Sequence, residues 1–297
     1  MTLALVLQYV VAGLTYGTIY AVVGVGFNIV YSATGIINFA QGEFVMLGGM
    51  IAVTLAGTLP LPAAIAVAVL VTMAVGALVE VAFIRWLHRP SVLRMIVITI
   101  GLSLVIREVA LHLWGQQVRA LPYFSGDEVS ALSLGGARIS PQVLWSLGTC
   151  LAIVVALWFF FQRTALGRQM RACAQGREAA ALCGVPTRNL ITLAFALSAG
   201  IGALAGCVVS PITYTSYGIG SGLAIKGFTV AVLGGLGNSF AAVGAGFVVG
   251  LLEALSVSLF PAAYKDVVSV GLLLAILFLR PAGLFGSRER ARLEGDH

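Results

Sequence analysis

Long apolar runs, more than any other feature, limit what this chain can fold into. They lie at 3–30, 40–57, 61–84, 93–115, 142–161, 188–209, 240–260 and 264–280, with a shorter ninth at 224–238. A helix needs about 20 residues to cross roughly 30 Å of hydrocarbon, and the first eight runs have that order of length. Between them there is little polar surface, because only 9% of the 297 residues are charged and the mean hydropathy is +1.03. A soluble domain carries about 25% charged residues, so a water-soluble enzyme and a disordered chain are both excluded. The expectation is an all-α polytopic membrane bundle of eight to ten transmembrane segments, forming a single transmembrane domain over 1–297.

No charged residue precedes Glu43 and no Arg precedes Arg85. A cleavable signal needs a positive start, so 3–30 reads as a retained span. The net charge of +6 does not point to nucleic acid, because the basic residues sit in short clusters beside apolar runs. Arg85, Arg89 and Arg94 flank one loop, Arg163, Arg168, Arg171, Arg177 and Arg188 fill a second, and Arg280, Arg288, Arg290 and Arg292 lie in the tail. These are twelve of the 17 basic residues. The positive-inside rule places all three segments in the cytoplasm, so the tail 281–297 is expected to be cytoplasmic and, with nine crossings, the N-terminus outside.

Two places interrupt the pattern. From Tyr31 to Glu43 the run carries Gly35, Asn38 and Gln41. The segment 224–238 is short and is bracketed by Gly218, Gly220 and Gly222 on one side and Gly234, Gly235 and Gly237 on the other. Irregular backbone at membrane depth is tolerated only where protein or water covers it. Asn38, Gln41, Glu43 and Lys226 are therefore the candidates for lining a translocation path, the first three reading equally as groups that cap and satisfy a broken helix. Lys226, opening the short segment, reads first as a helix-end residue snorkelling outward and second as a contact for a substrate carboxylate. Glu253, and in another span the adjacent Arg107 and Glu108, are expected to form internal pairs or to lie near an interface, the last two with different partners because neighbours on a helix face apart. Glu80 and Arg85 read as boundary residues.

Several features are expected to be structural. Gly13/Gly17, Gly202/Gly206 and Gly246/Gly250 are small-xxx-small pairs that let backbones approach within one subunit. The four cysteines (Cys150, Cys173, Cys183 and Cys207) lack metal-ligand spacing and read as small buried residues. His88 and His112 have no partner for a metal. Trp86, Trp114, Trp145 and Trp158 fall near span ends, where bilayer anchoring accounts for them. The loop 116–141, with Arg119, Arg138, Asp127, Glu128 and the turn formers Pro122, Gly126 and Gly135, reads as solvated surface too small to capture a solute.

The loop 162–188 reads as two short helices with Gly167, Gly176 and Gly184-Val185-Pro186 as stops. Met170, Ala174, Ala181, Leu182 and Val185 could meet a partner groove, and Arg168, Arg171 and Arg177 its charges or lipid headgroups.

Within this loop Glu178-Ala179-Ala180-x-x-x-Gly184 resembles the coupling loop of permease subunits in bacterial ATP-binding-cassette (ABC) importers. Leu166-Gly167-Arg168…Met170-Arg171-Ala172 around it, Tyr31 to Glu43, Lys226 to Gly237 and Arg280-Pro281-Ala-Gly283-Leu-Phe-Gly286 are similar to the branched-chain amino acid permease family, specifically the first of its two paired permeases. The resemblance runs over essentially the whole chain. It implies an inner-membrane multi-pass subunit, not an enzyme, working with a second permease, two cytoplasmic ATPases and a periplasmic amino-acid-binding protein. It implies coupling residues Arg168, Arg171, Glu178, Ala179, Ala180 and Gly184, and a path for branched-chain or related amino acids. No Gly-x4-Gly-Lys-Ser/Thr loop is present, so no cofactor is expected on this chain and ATP would be used by the partner ATPases. The alternatives are an ion-gradient-driven secondary transporter with broken helices in repeated halves, an ABC permease for urea or amides, and a passive channel. A membrane enzyme would need clustered ligands or nucleophiles that the chain lacks.

Overall fold

In a computed structural model, the described residues are 3–86, 92–126, 132–134, 137–259, 261, 264–279 and 283. Each of the nine apolar runs is a helix. They are α1 (Leu3–Thr34), α2 (Gln41–Leu55), α3 (Leu61–Val79, continued as a π-helical turn over Glu80–Ile84), α4 (Val92–Trp114), α5 (Pro141–Arg163), α8 (Thr187–Thr213), α9 (Ile219–Gly234), α10 (Ser239–Leu259) and α11 (Lys265–Leu279). Two helices of the basic loop, α6 (Ala165–Gln175) and α7 (Arg177–Leu182), complete the set. Six helices are long and apolar enough to cross a membrane, while α2 and α9 are shorter apolar helices. The architecture is thus a polytopic helical bundle.

Lipid removes most of the hydrophobic drive for helix association, so close backbone approach and polar bonds must hold the bundle together. Glycine provides the first. Gly13 and Gly17 on α1 face Gly246 and Gly250 on α10 so closely that a Cβ on any of them would strike main chain. The seam thus unites two of the small-residue pairs. Gly202 and Gly206 on α8 likewise receive α2, at Phe44 and Val45. The most apolar windows of α1 and α8 are each 72% buried, against 33% for α3, 22% for α4 and 28% for α5. The first two form the centre, and the last three present Leu70, Leu104, Val105 and Leu151 outward as a lipid-type surface.

One end of the bundle gathers the basic segments. Arg85 and Glu80 at the end of α3 meet Thr192 near the start of α8, with Thr192 Oγ1 donating to Glu80 Oε2 at 2.6 Å. Glu80 is 2% exposed, so this residue at the end of the span is also an interior anchor. Gly283, the described point of the tail, packs on Val232 and Gly235 at the end of α9. The remaining arginines of the tail and Arg89 lie outside the described residues, as do His88, Asp127, Glu128 and Gly135.

The opposite end differs from the solvated loop expected. Arg119 and Thr215 form an antiparallel bridge, Leu121 is 2% exposed with its amide donating to Ser210 Oγ, and Gln142 ties Phe124 to Val208. The loop is long because it clamps the α8–α9 connection. A short hairpin, Leu132–Leu134 with Ala137–Ile139, is the departure from an all-helical fold among the described residues.

Candidate functional site

The first interruption is narrower than the sequence suggested. Tyr31–Thr34 remain helical, and α1 ends where Gly35 turns to φ 71° with its amide donating to the Tyr31 carbonyl at 2.7 Å. The irregular stretch is 35–40. There Asn38 Oδ1 accepts from the Ala40 amide and the Asn38 carbonyl from the Gln41 amide, which starts α2. Phe39 packs on Phe27 of α1 and Phe228 of α9, with ring centroids 6.4 and 5.4 Å away, which fastens the break to both helices.

The second interruption also shifts. The helix α9 begins at Ile219, so Gly220 and Gly222 lie inside it rather than before it, and Lys226 is interior rather than at its opening. Gly220 stands inside the helix because its bare backbone abuts Gly42 and the Glu43 carboxylate, leaving no room for a Cβ. The first turns of α2 and α9 therefore touch.

Their depth follows from counting. Trp114 Nε1 donates to Thr54 Oγ1 at 2.7 Å, which fixes the ends of α4 and α2 at one level. Ser103 donates to Glu43 Oε1 at 3.0 Å, and each partner lies eleven residues before its member of that upper pair. At 1.5 Å per residue, Glu43 sits about 16 Å below the end of the bundle, near the middle of a roughly 30 Å bilayer. Two short helices thus start at mid-depth and run to opposite faces.

Gln41, 0% exposed, is held at both ends of its amide. Its Nε2 donates to the Ser198 carbonyl at 3.1 Å and its Oε1 accepts from Ser198 Oγ at 2.5 Å. Glu43 is 1% exposed, and its Oε2 has no hydrogen-bond partner; neither has Asn38 Nδ2 nor Arg107 Nε. Arg107 is one helical turn beyond Ser103, so both lie on the α4 face toward Glu43. Glu108 points away, as adjacent positions must.

Lys226 lies in a different cluster. Its Nζ is 2.7 Å from Glu253 Oε1, 2.9 Å from Asp266 Oδ1 and 3.0 Å from Tyr20 Oη, which engages all three ammonium hydrogens. Ser269 donates to Glu253 Oε2 at 3.1 Å, so the ion pair expected for Glu253 joins α1, α9, α10 and α11.

The basic loop holds its two expected helices with changed details. Gly167 is inside α6 rather than a stop: Thr164 Oγ1 caps the helix by accepting from its amide at 3.0 Å, and its backbone packs on Phe160 and Phe161. Met170 and Cys173 turn into the bundle, so Met170 does not face a partner, and burial pushes the Cys173 thiol up. Gly176 separates the helices, and Gly184 ends α7 with φ 80°. Ala180 is buried against the chain, whereas Ala179, Ala181 and Cys183 are exposed and Leu182 is 90% exposed. The expectation that all four cysteines are buried fails at Cys183. Arg168 and Arg171 are exposed on α6, the latter donating to Gln162 Oε1 at 3.2 Å.

Short helices meeting inside a bundle of long apolar ones, with a basic amphipathic foot at one end, define a membrane permease. Residues 9–277 match the family described as branched-chain amino acid transport system, permease component, and the chain belongs to that family. It is 34% identical to the high-affinity branched-chain amino acid transport system permease protein BraD of Pseudomonas aeruginosa, over 95% of this chain and 96% of that one. Identity to LivH of Escherichia coli K12, of the same description, is 33% over 95% and 96%. In fold it is similar to an inward-facing ABC transporter of metal-chelate type, with a TM-score of 0.51 at 17% identity over 92% and 85% of the two chains.

Proposed function

We propose that this chain is one permease subunit of an ABC importer for branched-chain or related amino acids. It would pair with a second permease, two cytoplasmic ATPases and a periplasmic binding protein in a bacterial inner membrane. The observation that carries the reading is the foot. Leu182, 90% exposed, and the exposed Ala181 stand on α7, in a loop that also carries the exposed Arg168, Arg171 and Arg177. An apolar knob among cations is suited to a socket on a partner, and the positive-inside rule puts it, with the tail, on the cytoplasmic side. Arg168, Arg171, Glu178, Ala179, Ala180 and Gly184 are the coupling residues. The path is proposed to pass the meeting point of α2 and α9, where Asn38, Gln41 and Glu43 lie. Lys226 braces the helices behind it.

Co-expression with the paired permease and ATPases tests this. The four proteins should copurify, and proteoliposomes containing them should take up leucine only with ATP and binding protein. Replacing Gly184, whose φ of 80° strains any side chain, by Leu should abolish uptake and leave ATP hydrolysis uncoupled. Gradient-driven leucine uptake by the purified chain alone would establish a secondary transporter instead.

A further inference from the structure

The permease reading leaves open what in the path recognises the solute, and three side chains near mid-depth bear on it. Glu43 Oε2 and Arg107 Nε are buried atoms without hydrogen-bond partners, the glutamate 1% exposed and the arginine half-buried. They lie on the neighbouring helices α2 and α4, and no ion pair joins them. Buried charges are ordinarily paired or hydrogen-bonded, because water is no longer there to solvate them. Ser103 holds Oε1 in place by one bond and so aims the other oxygen away from itself.

We infer that Glu43 and Arg107, with Ser103 as positioning residue, form a recognition point for the charged head of a free amino acid, resting on the permease reading above. The solute ammonium is accepted by Glu43 Oε2 and its carboxylate by Arg107. A solute carrying both charges satisfies both groups at once, whereas a lone amine meets the arginine and a lone acid meets the carboxylate with like charge. The surroundings are otherwise apolar: Phe44, Leu47, Leu102, Ile106 and Ile219 belong to one packed cluster here, as a branched aliphatic side chain requires. Two of the three groups stand on α4, whose window is 22% buried, the least of the six long helices. Displacing it parts Ser103 and Arg107 from Glu43 without opening the α1–α10 seam. The Lys226 cluster offers nothing comparable, since its amine is already fully engaged.

Thiol protection tests the site without the ATPases. Ser103→Cys, in a Cys183→Ser background, is labelled by a small cationic methanethiosulfonate in the purified permease pair. L-leucine at saturating concentration should slow labelling at least threefold, and neither 4-methylpentanoate nor 3-methylbutylamine should do so. Adding Glu43→Gln or Arg107→Gln should abolish the protection, with the second permease still copurifying. Equal protection by all three solutes, protection by none, or protection that survives both substitutions would overturn the site. So would an Arg107→Gln importer with wild-type leucine uptake, which would mean that the two groups serve only each other. Should Ser103→Cys fail to assemble, leucine-dependent thermal stabilisation of the unmodified pair, lost in Glu43→Gln, decides the same question. ATP-driven uptake without protection refutes the site and leaves the importer standing; protection without ATPase copurification does the reverse.

Discussion

At the residue scale, two carboxylates that share the Lys226 amine, one buried and one exposed, are treated oppositely by their surroundings. Glu253 is 4% exposed at its side chain and receives Lys226, Tyr20 and Ser269. Removing one member of a buried pair leaves an uncompensated charge and costs about 3–5 kcal/mol. Lys226→Met should therefore lower the unfolding free energy in detergent by about that amount, and the double variant Lys226→Met, Glu253→Gln should regain much of it. Asp266, 66% exposed, shares the same amine but is screened, so Asp266→Asn should cost about 0–1 kcal/mol in the same assay. An equal loss in both single variants would show that the buried pair is not what matters. The sequence pointed to an internal pair for Glu253 but not to Lys226, which is 27 positions away in another helix. Nor did it connect Glu43 to Ser103 and Arg107. Contacts of that kind are set by which helix faces touch, and helix periodicity gives a face without its partner.

At the element scale, the apolar runs needed no tertiary information, because each spans a bilayer by itself, and all nine are helices. Their ends were less legible. The helix α9 starts five residues before the predicted segment because Gly220, which propensity reads as a breaker, is there used for packing, while Gly222 stands in open space inside the helix. The same logic hides the continuity of α6 through Gly167. Glycines in this molecule divide by what surrounds them. Gly246→Ala and Gly48→Ala would drive a Cβ into main chain, of Ala21 and Ala203 respectively, and should sharply reduce the folded yield. Gly101→Ala and Gly244→Ala meet open space and should be neutral or more stable, by up to about 1 kcal/mol. Fluorescence-detected size exclusion of the four variants would separate the two groups, and a uniform response would refute the packing assignment.

At the scale of the whole molecule, the bundle has a basic end and a clamped end. Cys150, Cys173 and Cys207 are buried and Cys183 is exposed on the foot, so a membrane-impermeant maleimide should label Cys183 alone. Labelling should occur in inside-out vesicles and not in intact spheroplasts; the reverse would invert the bundle and remove the foot from any cytoplasmic partner. Labelling should also fall when the ATPases are bound. The class of the molecule was legible because lipid imposes its demand on every span at once. The foot was legible because its arginines are contiguous in the chain. The clamp of Arg119 on Thr215 was not, since it joins two loops nearly a hundred residues apart.

The abutting turns at Gly42 and Gly220 have a mechanical consequence. A wall made of one continuous helix must be unwound or swung aside along its full length before anything passes. Here the obstruction is thin, two peptide backbones laid side by side at Gly42 and Gly220 with the small Ala224 and the Glu43 carboxylate beside them. Parting them by the width of a small solute would join the halves above and below while every helical hydrogen bond stays intact, so on the proposed path only a short displacement would be needed.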